Sequence, residues 1–410
     1  MSETTFSNTP QPPVRKGGFL KKIVLILLVA LIGAGSYIAY DGYTFLTTPA
    51  ATSPREIMFE ILPGATFDRV AWDLYKAGAL KNVFRFRVLA KVKNKLGSIQ
   101  AGEFAINTGW APEQLLAHLT SGKPVQYRLA LREGLPWWEV ARLVEEGGFA
   151  KASEFEAIIH DPEFLRQYGI PFANAEGFLY PETYLLKKPK ELGGRAQAET
   201  VARTLVEMFW QRSWASLTQF AATDATPKGA SLYLPNFTLK NGIPIRVNPV
   251  PPPTANTATS TPAIQPLPVP VSLETLRYLV ILASLVEKET GVAEERTLVA
   301  GVYANRMRIG MLLQCDPTII YGLGKEQRGP IRRSQLDDAK NLYNTYKHSG
   351  LPPGPICSPG AAAIQAAVAP EKHEYIYFVA TGKPDGTHTF STNLRDHEKA
   401  VKIYRATQRR

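Results

Sequence analysis

Residues 273–324 read LETLRYLVILASLVEKETGVAEERTLVAGVYANRMRIGMLLQCDPTIIYGLG and are the most strongly patterned part of the chain. The run from Leu276 to Val286 is apolar on nearly every side, which predicts a buried helix. Ser272 is placed to cap its N-terminus, and Glu274 is placed to interact favourably with the helix dipole. The apolar run ends in the polar sequence EKETG, residues 287–291.

Two carboxylates, Glu287 and Glu289, lie at this helix end. Residues two apart on a helix point about 200° away from each other, so the two cannot face one cleft. Each continues an apolar stripe: Glu289 follows Tyr278, Leu282 and Leu285, whereas Glu287 follows Val280 and Ala283. A carboxyl on an apolar stripe has a raised pKa, as a general acid requires. Periodicity does not choose between the two, and an exposed helix end with solvated charges gives the same sequence.

Residues 223–271, which precede the helix, differ in composition. Eleven of the 32 prolines of the chain lie between Pro227 and Pro270. Such a segment is not expected to form a helix or a central strand, and TANTATSTP (254–262) is typical of a loop. The segment is therefore interpreted as an insertion or a flexible loop.

Further toward the N-terminus, a strand–turn–helix pattern occurs twice. Glu56 to Leu62 has strand character, Leu62-Pro63-Gly64 predicts a turn, and Phe67, Val70, Ala71 and Leu74 recur at helical spacing. The second copy has a strand from Val125 to Leu131, a turn at Glu133-Gly134, and Trp138, Val140, Ala141 and Leu143 at the helical positions. Both resemble the LysM-type glycan-binding module, although two unrelated strand–helix units would give the same pattern.

The N-terminus carries a membrane signal. Residues 23–40 contain no charge and follow a basic group formed by Arg15, Lys16, Lys21 and Lys22. Eighteen residues rise roughly 27 Å as a helix, near the lower limit for crossing a bilayer. The charge distribution predicts a cytoplasmic N-terminus and a retained single-pass anchor, followed by a linker over 41–52. A cleaved signal peptide or a buried soluble helix is the alternative.

The composition excludes several classes of protein. A chain of 410 residues with 45% hydrophobic residues is large enough for two or three domains with real cores. Two cysteines exclude a cysteine-based zinc site, and no histidine has metal-ligand spacing, so neither a metal nor another cofactor is expected. The net charge of +11 fits nucleic acid, an anionic membrane or an acidic polymer. An anchor would place residues 42–410 outside the cytoplasm, which argues against nucleic acid.

Several motifs in order resemble the endolytic murein transglycosylases of the MltG/YceG type. They are EGFLYPETY (176–184), ASLVEKET (283–290), NRMRIGMLLQCDPTIIYG (305–322), YNTY (343–346), GLPPGPICSPG (350–360), YIYFVA (375–380) and HTFSTN (388–393). The resemblance covers nearly the whole chain apart from the proline-rich stretch. Cys315 stands where the family motif often carries threonine. Cys315 and Cys357 could pair in an oxidising compartment.

The resemblance implies cleavage of the MurNAc–GlcNAc linkage of nascent glycan strands without water, which leaves a 1,6-anhydro-MurNAc end and terminates strand elongation. A single glutamate performs both proton transfers in such chemistry, and the Glu-Thr pair makes Glu289 the first choice and Glu287 the second. The implied partners are peptidoglycan, the cytoplasmic membrane and cell-wall synthesis enzymes. The rival functions are a muramidase-type hydrolase and a non-catalytic peptidoglycan-binding scaffold.

Other polar residues of these motifs are candidates for substrate binding. They are Asn305, Gln314, Asp316, Thr318, Tyr321, Tyr343, Asn344 and Tyr346. Asp316 precedes Pro317 and could equally cap a turn, and the tyrosines could equally form a packed aromatic pair. His388 could orient a substrate, but a lone histidine in a strand-like run is more often structural.

The predicted fold is α+β, with a single N-terminal transmembrane helix, LysM-like βα modules and a mixed catalytic domain. The predicted division is a cytoplasmic tail over 1–22, the transmembrane helix over 23–40, the linker over 41–52, a LysM-like module over 53–124, a second module and lead-in over 125–222, the proline-rich insertion over 223–271 and the catalytic domain over 272–410. The expected location is the inner membrane, with the catalytic domain on its periplasmic or outer face.

Overall fold

The computed structural model describes residues 18–62, 64–189, 192–223, 231–247, 266–327 and 329–408. Contacts between residues divide the chain into two compact units, Met1–Val125 and Gln126–Arg410, called here the N-terminal and C-terminal units. Helices and strands are mixed in both units, and the strands of the described ranges pair as two-stranded antiparallel sheets. The prediction of a mixed helix and strand fold is therefore confirmed.

The N-terminal unit has a short sheet and a helical layer around one core. Its elements are α1 (Gly18–Thr47), β1 (Glu56–Ile61), α2 (Phe67–Lys76), α3 (Val83–Val92), β2 (Gly102–Asn107) and α4 (Pro112–Ser121). Strands β1 and β2 pair antiparallel, with Phe59 opposite Phe104. The inward side chains of both strands pack against α2, α3 and α4 to form the core.

Helix α1 contains the predicted membrane span and continues beyond it. From Lys21 to Thr47 it is long and apolar enough to cross a bilayer or to act as a signal sequence, and none of its most apolar window is buried. Residues 41–47 of the predicted linker are helical and continue α1. No proline or capping residue interrupts the helix before Pro49, and Phe45 and Leu46 pack against the core of the N-terminal unit.

The predicted repetition of strand, turn and helix is confirmed as secondary structure. In both copies a glycine with positive φ, Gly64 at 78° and Gly134 at 75°, lies between the strand and a ten-residue helix. Phe67, Val70, Ala71 and Leu74 are buried on α2, as their spacing predicts. Pro63 lies outside the described residues. The likeness to LysM modules is not tested by this agreement.

The C-terminal unit contains the remaining elements. They are β3 (Tyr127–Ala130), α5 (Trp137–Glu146), α6 (Ala152–Ile159), α7 (Pro162–Gln167), β4 (Thr183–Leu186), α8 (Arg195–Thr223), β5 (Ser231–Leu234), β6 (Phe237–Lys240), β7 (Ile243–Arg246), β8 (Leu267–Ser272), α9 (Leu273–Glu289), α10 (Arg296–Arg308), α11 (Asp316–Leu323), α12 (Arg333–Leu336), α13 (Ala361–Val368), β9 (Tyr377–Ala380), β10 (His388–Ser391) and α14 (Leu394–Thr407). A 3₁₀ turn over Ala293–Glu295 joins α9 to α10.

Helix α9 is at the centre of this unit, as its sequence predicts. Every residue from Leu279 to Val286 is buried, and α10, α11 and α13 lie directly against the helix. The Ser272 side chain accepts a hydrogen bond from the Thr275 N–H, so the predicted N-cap is confirmed. This burial fixes the position of the polar helix end.

The interpretation of residues 223–271 as a loop is wrong where the structure describes them. Strand β5 pairs with β8, and β6 pairs with β7, so prolines 244, 268 and 270 lie within strands. Proline is tolerated there because each strand of a two-stranded sheet has one edge that needs no N–H donor. Leu234, Phe237, Val269 and Val271 join the core. The TANTATSTP segment lies outside the described residues.

Replacing Leu282 by alanine tests the central position of α9. Leu282 is fully buried, so Leu282→Ala should destabilise the C-terminal unit by about 2–5 kcal/mol through the cavity that it leaves. The matched control is Ile403→Ala on α14, whose side chain is 65% exposed. Thermal unfolding should show a melting temperature several degrees lower for the first variant alone. Equal melting temperatures for the two variants would contradict the central role of α9.

Candidate active site

The two carboxylates at the end of α9 face different neighbours, as their spacing predicts. Glu287 Oε2 accepts a hydrogen bond of 2.9 Å from the backbone N–H of Gly360, the residue that caps α13. Glu289 Oε1 accepts a hydrogen bond of 2.9 Å from the Tyr303 hydroxyl of α10. One carboxylate thus joins α9 to a helix N-terminus, and the other faces a set of side chains.

The Glu289 carboxyl is surrounded by groups from three other segments. Burial raises its pKa, whereas hydrogen bonds from Cys315 and Tyr303 oppose the rise. The charge of Asp316 raises the pKa further, and His388 lowers it. The residue as a whole is partly exposed, whereas its carboxyl is enclosed by these groups. A desolvated carboxyl with a raised pKa is suited to giving and taking a proton.

Burial also raises the pKa of Glu287, so this property does not separate the two carboxyls. The Gly360 N–H lowers that pKa, and the neighbouring Glu133 raises it. The difference lies in their partners, because a backbone N–H can only donate and holds Glu287 as a cap of α13. Tyr303 presents Glu289 with a hydroxyl, which can both donate and accept. The two carboxyls therefore differ in their hydrogen-bond partners and not in the direction of their pKa shifts.

A largely buried pair, Glu295 and His388, fixes the chain that follows Glu289. Glu295 Oε1 accepts a hydrogen bond of 2.7 Å from the His388 backbone N–H, and Oε2 lies 2.7 Å from His388 Nδ1. The Thr290 hydroxyl also donates to Glu295 Oε2, at 3.4 Å. Glu295 therefore joins β10 to the residue next to Glu289. Sequence reasoning missed Glu295, since nothing in its local pattern shows that its partner is 93 residues away.

The segment before α11 lies beside Glu289 in an uncommon backbone conformation. Gln314 has a φ of 53°, a left-handed value that is costly for a residue other than glycine, and its side chain is exposed. The conformation is held by Thr345, whose carbonyl accepts from the Gln314 N–H and whose hydroxyl accepts from the Cys315 N–H. Backbone strain of this kind occurs often at functional sites.

Three of the predicted substrate-binding residues instead hold loops together. Thr318 and Asn344 are fully buried, so neither side chain offers a surface to a ligand. Asn344 Nδ2 donates to the carbonyls of Gln335, Leu336 and Asp338, and Thr318 donates to the carbonyl of Cys315. Asn305 Nδ2 donates to the carbonyls of His373 and Tyr375. In this structure the polar side chains of all three residues therefore hold neighbouring backbone in place.

Asp316 and Tyr346 form a polar pair at the surface near Glu289. The Tyr346 hydroxyl donates to Asp316 Oδ1 at 2.6 Å, and Asp316 is exposed. Asp316 is the first residue of α11, where a carboxylate interacts favourably with the helix dipole. The structure thus brings together two predicted residues that the sequence separates by thirty positions.

A row of half-buried aromatic rings contains the other two predicted tyrosines. The Tyr321 ring centroid is 4.9 Å from that of Tyr343 and 5.1 Å from that of Trp138. We call Trp138, Tyr321 and Tyr343 the aromatic row. Sequence reasoning placed Trp138 on a helix but missed its role beside the tyrosines, because these rings come from segments far apart in the chain. Partly exposed aromatic rings offer flat apolar surfaces with polar edges.

A buried carboxyl, Glu176, lies beneath the aromatic row. Its side chain is 1% exposed, and Oε2 accepts a hydrogen bond of 2.8 Å from the Trp137 backbone N–H. Burial raises the pKa of Glu176 to about 8, while the Trp137 N–H and the Tyr321 hydroxyl oppose the rise. Glu176 thus connects the start of α5 with Tyr321 of the row.

The two cysteines and the possible metal ligands are considered next. Cys315 and Cys357 are both buried free thiols, so the considered disulfide is not formed. Burial raises the pKa of both thiols. Within the described ranges, no three histidine, cysteine or acidic side chains are grouped as metal ligands.

Comparison with known proteins gives consistent matches. A model of the YceG-like family matches residues 59–235 and 255–403. The endolytic murein transglycosylase of Streptococcus pneumoniae R6 is 28% identical over 409 residues, which cover 92% of this chain and 64% of that protein. That of Bacillus subtilis 168 is 24% identical over 378 residues, with 88% and 89% coverage. The chain thus spans less than two thirds of the pneumococcal relative. A crystal structure of a YceG-like protein from Listeria monocytogenes aligns with 24% identity and a TM-score of 0.48, over 85% of this chain and 99% of that one.

Replacing Asn344 by alanine tests its positioning role. The change leaves three backbone carbonyls without their donor, which should cost about 1–3 kcal/mol of stability. Hydrogen–deuterium exchange of residues 335–346 should therefore become faster. The matched control is Leu342→Ala in the same loop, where the side chain is 64% exposed. If exchange is unchanged in Asn344→Ala, the loop does not depend on this amide.

Proposed function

The chain belongs to the YceG-like family, and on this basis we propose that it is a membrane-anchored endolytic transglycosylase of peptidoglycan. It cleaves MurNAc–GlcNAc linkages in nascent glycan strands and leaves 1,6-anhydro-MurNAc ends, which terminates strand elongation. The curated relatives that it resembles are named endolytic murein transglycosylases. The observation that carries the proposal is the desolvated Glu289 carboxyl, held by the Tyr303 hydroxyl beside an exposed surface.

The chemistry needs only one carboxyl that both gives and takes a proton. Protonated Glu289 donates its proton to the glycosidic oxygen as the bond from that oxygen to C1 breaks. The resulting carboxylate takes the proton of the C6 hydroxyl as O6 bonds to C1. Glu289 ends protonated and no water is consumed, whereas an ordinary glycosidase needs a second carboxylate. Burial raises the pKa of Glu289, which favours the protonated starting state.

The surroundings of Glu289 support binding of a sugar polymer. The aromatic row offers ring faces for stacking against sugar rings, while Gln314, Asp316 and Tyr346 offer polar groups for hydroxyl and N-acetyl groups. We retain Gln314, Asp316, Tyr321, Tyr343 and Tyr346 as proposed substrate contacts and add Trp138.

The end of α1 supports a retained anchor. A cleaved signal sequence would be removed before or near its junction with the folded protein. Here α1 runs on without a break to Thr47, and Phe45 and Leu46 are part of the packing of the N-terminal unit. We therefore propose a single-pass inner-membrane protein with a cytoplasmic N-terminus and with residues 42–410 on the outer face. The domain division given by the sequence, the LysM-like glycan binding and association with cell-wall synthesis enzymes belong to the same proposal.

A muramidase-type hydrolase is the second candidate, and Asp316 is the observation that favours it. Its charge acts on Glu289, so it lies where a second carboxylate could assist a water. Mass spectrometry of the products from purified sacculi separates the two reactions. A transglycosylase gives anhydro ends, whereas a hydrolase gives reducing ends heavier by one water.

Replacing Glu289 by glutamine tests the catalytic assignment. The amide cannot transfer the proton, so release of anhydro-muropeptides from purified glycan strands should fall by roughly 10²–10⁴-fold. Glu287→Gln is the matched control, and it should keep most of the activity because its partner is the cap of α13. Wild-type turnover by Glu289→Gln would refute the assignment, and a loss confined to Glu287→Gln would move the role to that residue.

Replacing Tyr303 by phenylalanine tests the proton-transfer step through pH. The Tyr303 hydroxyl stabilises the charged form of Glu289 and lowers its pKa, so its removal should raise that pKa. Glu289 then stays protonated to higher pH, so the alkaline limb of the plot of kcat/KM against pH should shift to higher pH. Tyr184→Phe is the control, because the buried Tyr184 hydroxyl donates its hydrogen bond to the Tyr180 carbonyl and not to Glu289. Coincident alkaline limbs for Tyr303→Phe and the unmodified protein would exclude Glu289 as the titrating acid.

A further inference from the structure

Helix α3 of the N-terminal unit has apolar side chains on two opposite faces. Phe86, Leu89 and Ala90 are buried in the core. Phe84, Val88 and Val92 are 74%, 45% and 77% exposed. Because they are spaced four residues apart, these three project within about 80° of one another on the other side of the helix. We call them the α3 stripe. Contacts within the described part of the unit leave this stripe uncovered.

Basic residues flank the α3 stripe on both sides. The segment KNVFRFRVLAKVKNK, residues 81–95, has six basic residues and no acidic one. At about 100° per residue, Arg85 and Lys91 project roughly 60° to either side of the centre of the stripe. An apolar stripe bordered by lysine and arginine is typical of a helix that lies in a lipid interface.

Ion pairs neutralise part of this charge. Arg85 pairs with Asp41, Arg87 with Asp68 and Lys93 with Glu113, all at the surface. Surface pairs of this kind are weak, at about 0–1 kcal/mol each. Among the described residues, no acidic group pairs with Lys81, Lys91 or Lys95. These three charges are available to an anionic surface.

The α3 stripe begins beside the end of the apolar span. Asp41 directly follows the uncharged residues 23–40, and Arg85, the neighbour of Phe84, pairs with Asp41 at 2.9 Å. The Arg85 guanidinium also lies 5.8 Å from the ring centroid of Phe45 on α1. If α1 crosses a bilayer, these contacts hold the start of α3 at the level where the lipid headgroups begin.

We propose that α3 is a second membrane contact, which rests on the same bilayer that α1 crosses. Phe84, Val88 and Val92 insert at the boundary between headgroups and acyl chains, and Lys81, Lys91 and Lys95 attract anionic headgroups. The contact orients the N-terminal unit on the membrane surface. The proposal rests on the anchor proposed above. The basic flanks and the direct continuity with the span favour lipid over a glycan or a protein partner as the occupant.

Site-directed spin labelling of the full-length chain in lipid nanodiscs tests the proposal. A nitroxide at Val88→Cys reports collisions with oxygen, which partitions into lipid, and with a water-soluble nickel complex. Cys315 and Cys357 are buried, so the unmodified chain serves as the blank for labelling. The matched control is Leu239→Cys in β6, where the side chain is 47% exposed compared with 45% for Val88.

In nanodiscs with anionic lipid, nickel collisions of the Val88→Cys label should fall several-fold below those of the control, and oxygen collisions should rise. Replacing Lys81, Lys91 and Lys95 by glutamate, or the lipid by a neutral one, should reverse part of this change. Equal nickel collisions at both labels would overturn the proposal. So would shielding that appears only when glycan strands are added. Failure of the anchor itself is distinguishable, because the chain would then not co-purify with nanodiscs.

Discussion

The exclusion of water from α9 is the physical condition on which the candidate site depends. Residues 279–286 are buried without interruption, and the helix emerges from the core only at Glu287, Lys288 and Glu289. The burial that stabilises the helix also raises the pKa values of both terminal glutamates. The stability of the helix and the raised pKa values therefore share one cause. A change that loosens the packing around α9 would admit water and lower both pKa values, even if no catalytic side chain were altered.

Around this helix end, amide and hydroxyl side chains are used mostly to hold backbone. Asn305 and Asn344 donate to carbonyls, while Thr318 and Thr345 connect the start of α11 with the loop that contains Tyr346. Loops with few regular hydrogen bonds leave buried carbonyls that need donors, and side-chain amides supply them. Only some of the polar residues in the motifs therefore have side chains that remain available to a ligand. They are concentrated near Asp316 and along the aromatic row.

The sequence predicts features governed by local pattern. The N-cap at Ser272, the buried helix after it and the opposed faces of Glu287 and Glu289 all follow from spacing along a single helix. The motifs likewise pointed to the right family. Partners far apart in the chain were not predictable, as for Glu295 with His388 or Trp138 with Tyr321. Strand β8 was missed for another reason, because proline argues against strands in general but not against those with a free edge.

The continuity of α1 with the packing around Phe45 and Leu46 has a mechanical consequence. Thirty helical residues are about 45 Å long, while the hydrocarbon layer takes up about 30 Å. With the proposed span at 23–40, residues 41–47 add only about 10 Å of stiff stalk outside. No flexible linker then separates the N-terminal unit from the span, so the unit cannot move far from the membrane into the wall. With this anchor, its reach is limited to the thin layer of space next to the bilayer.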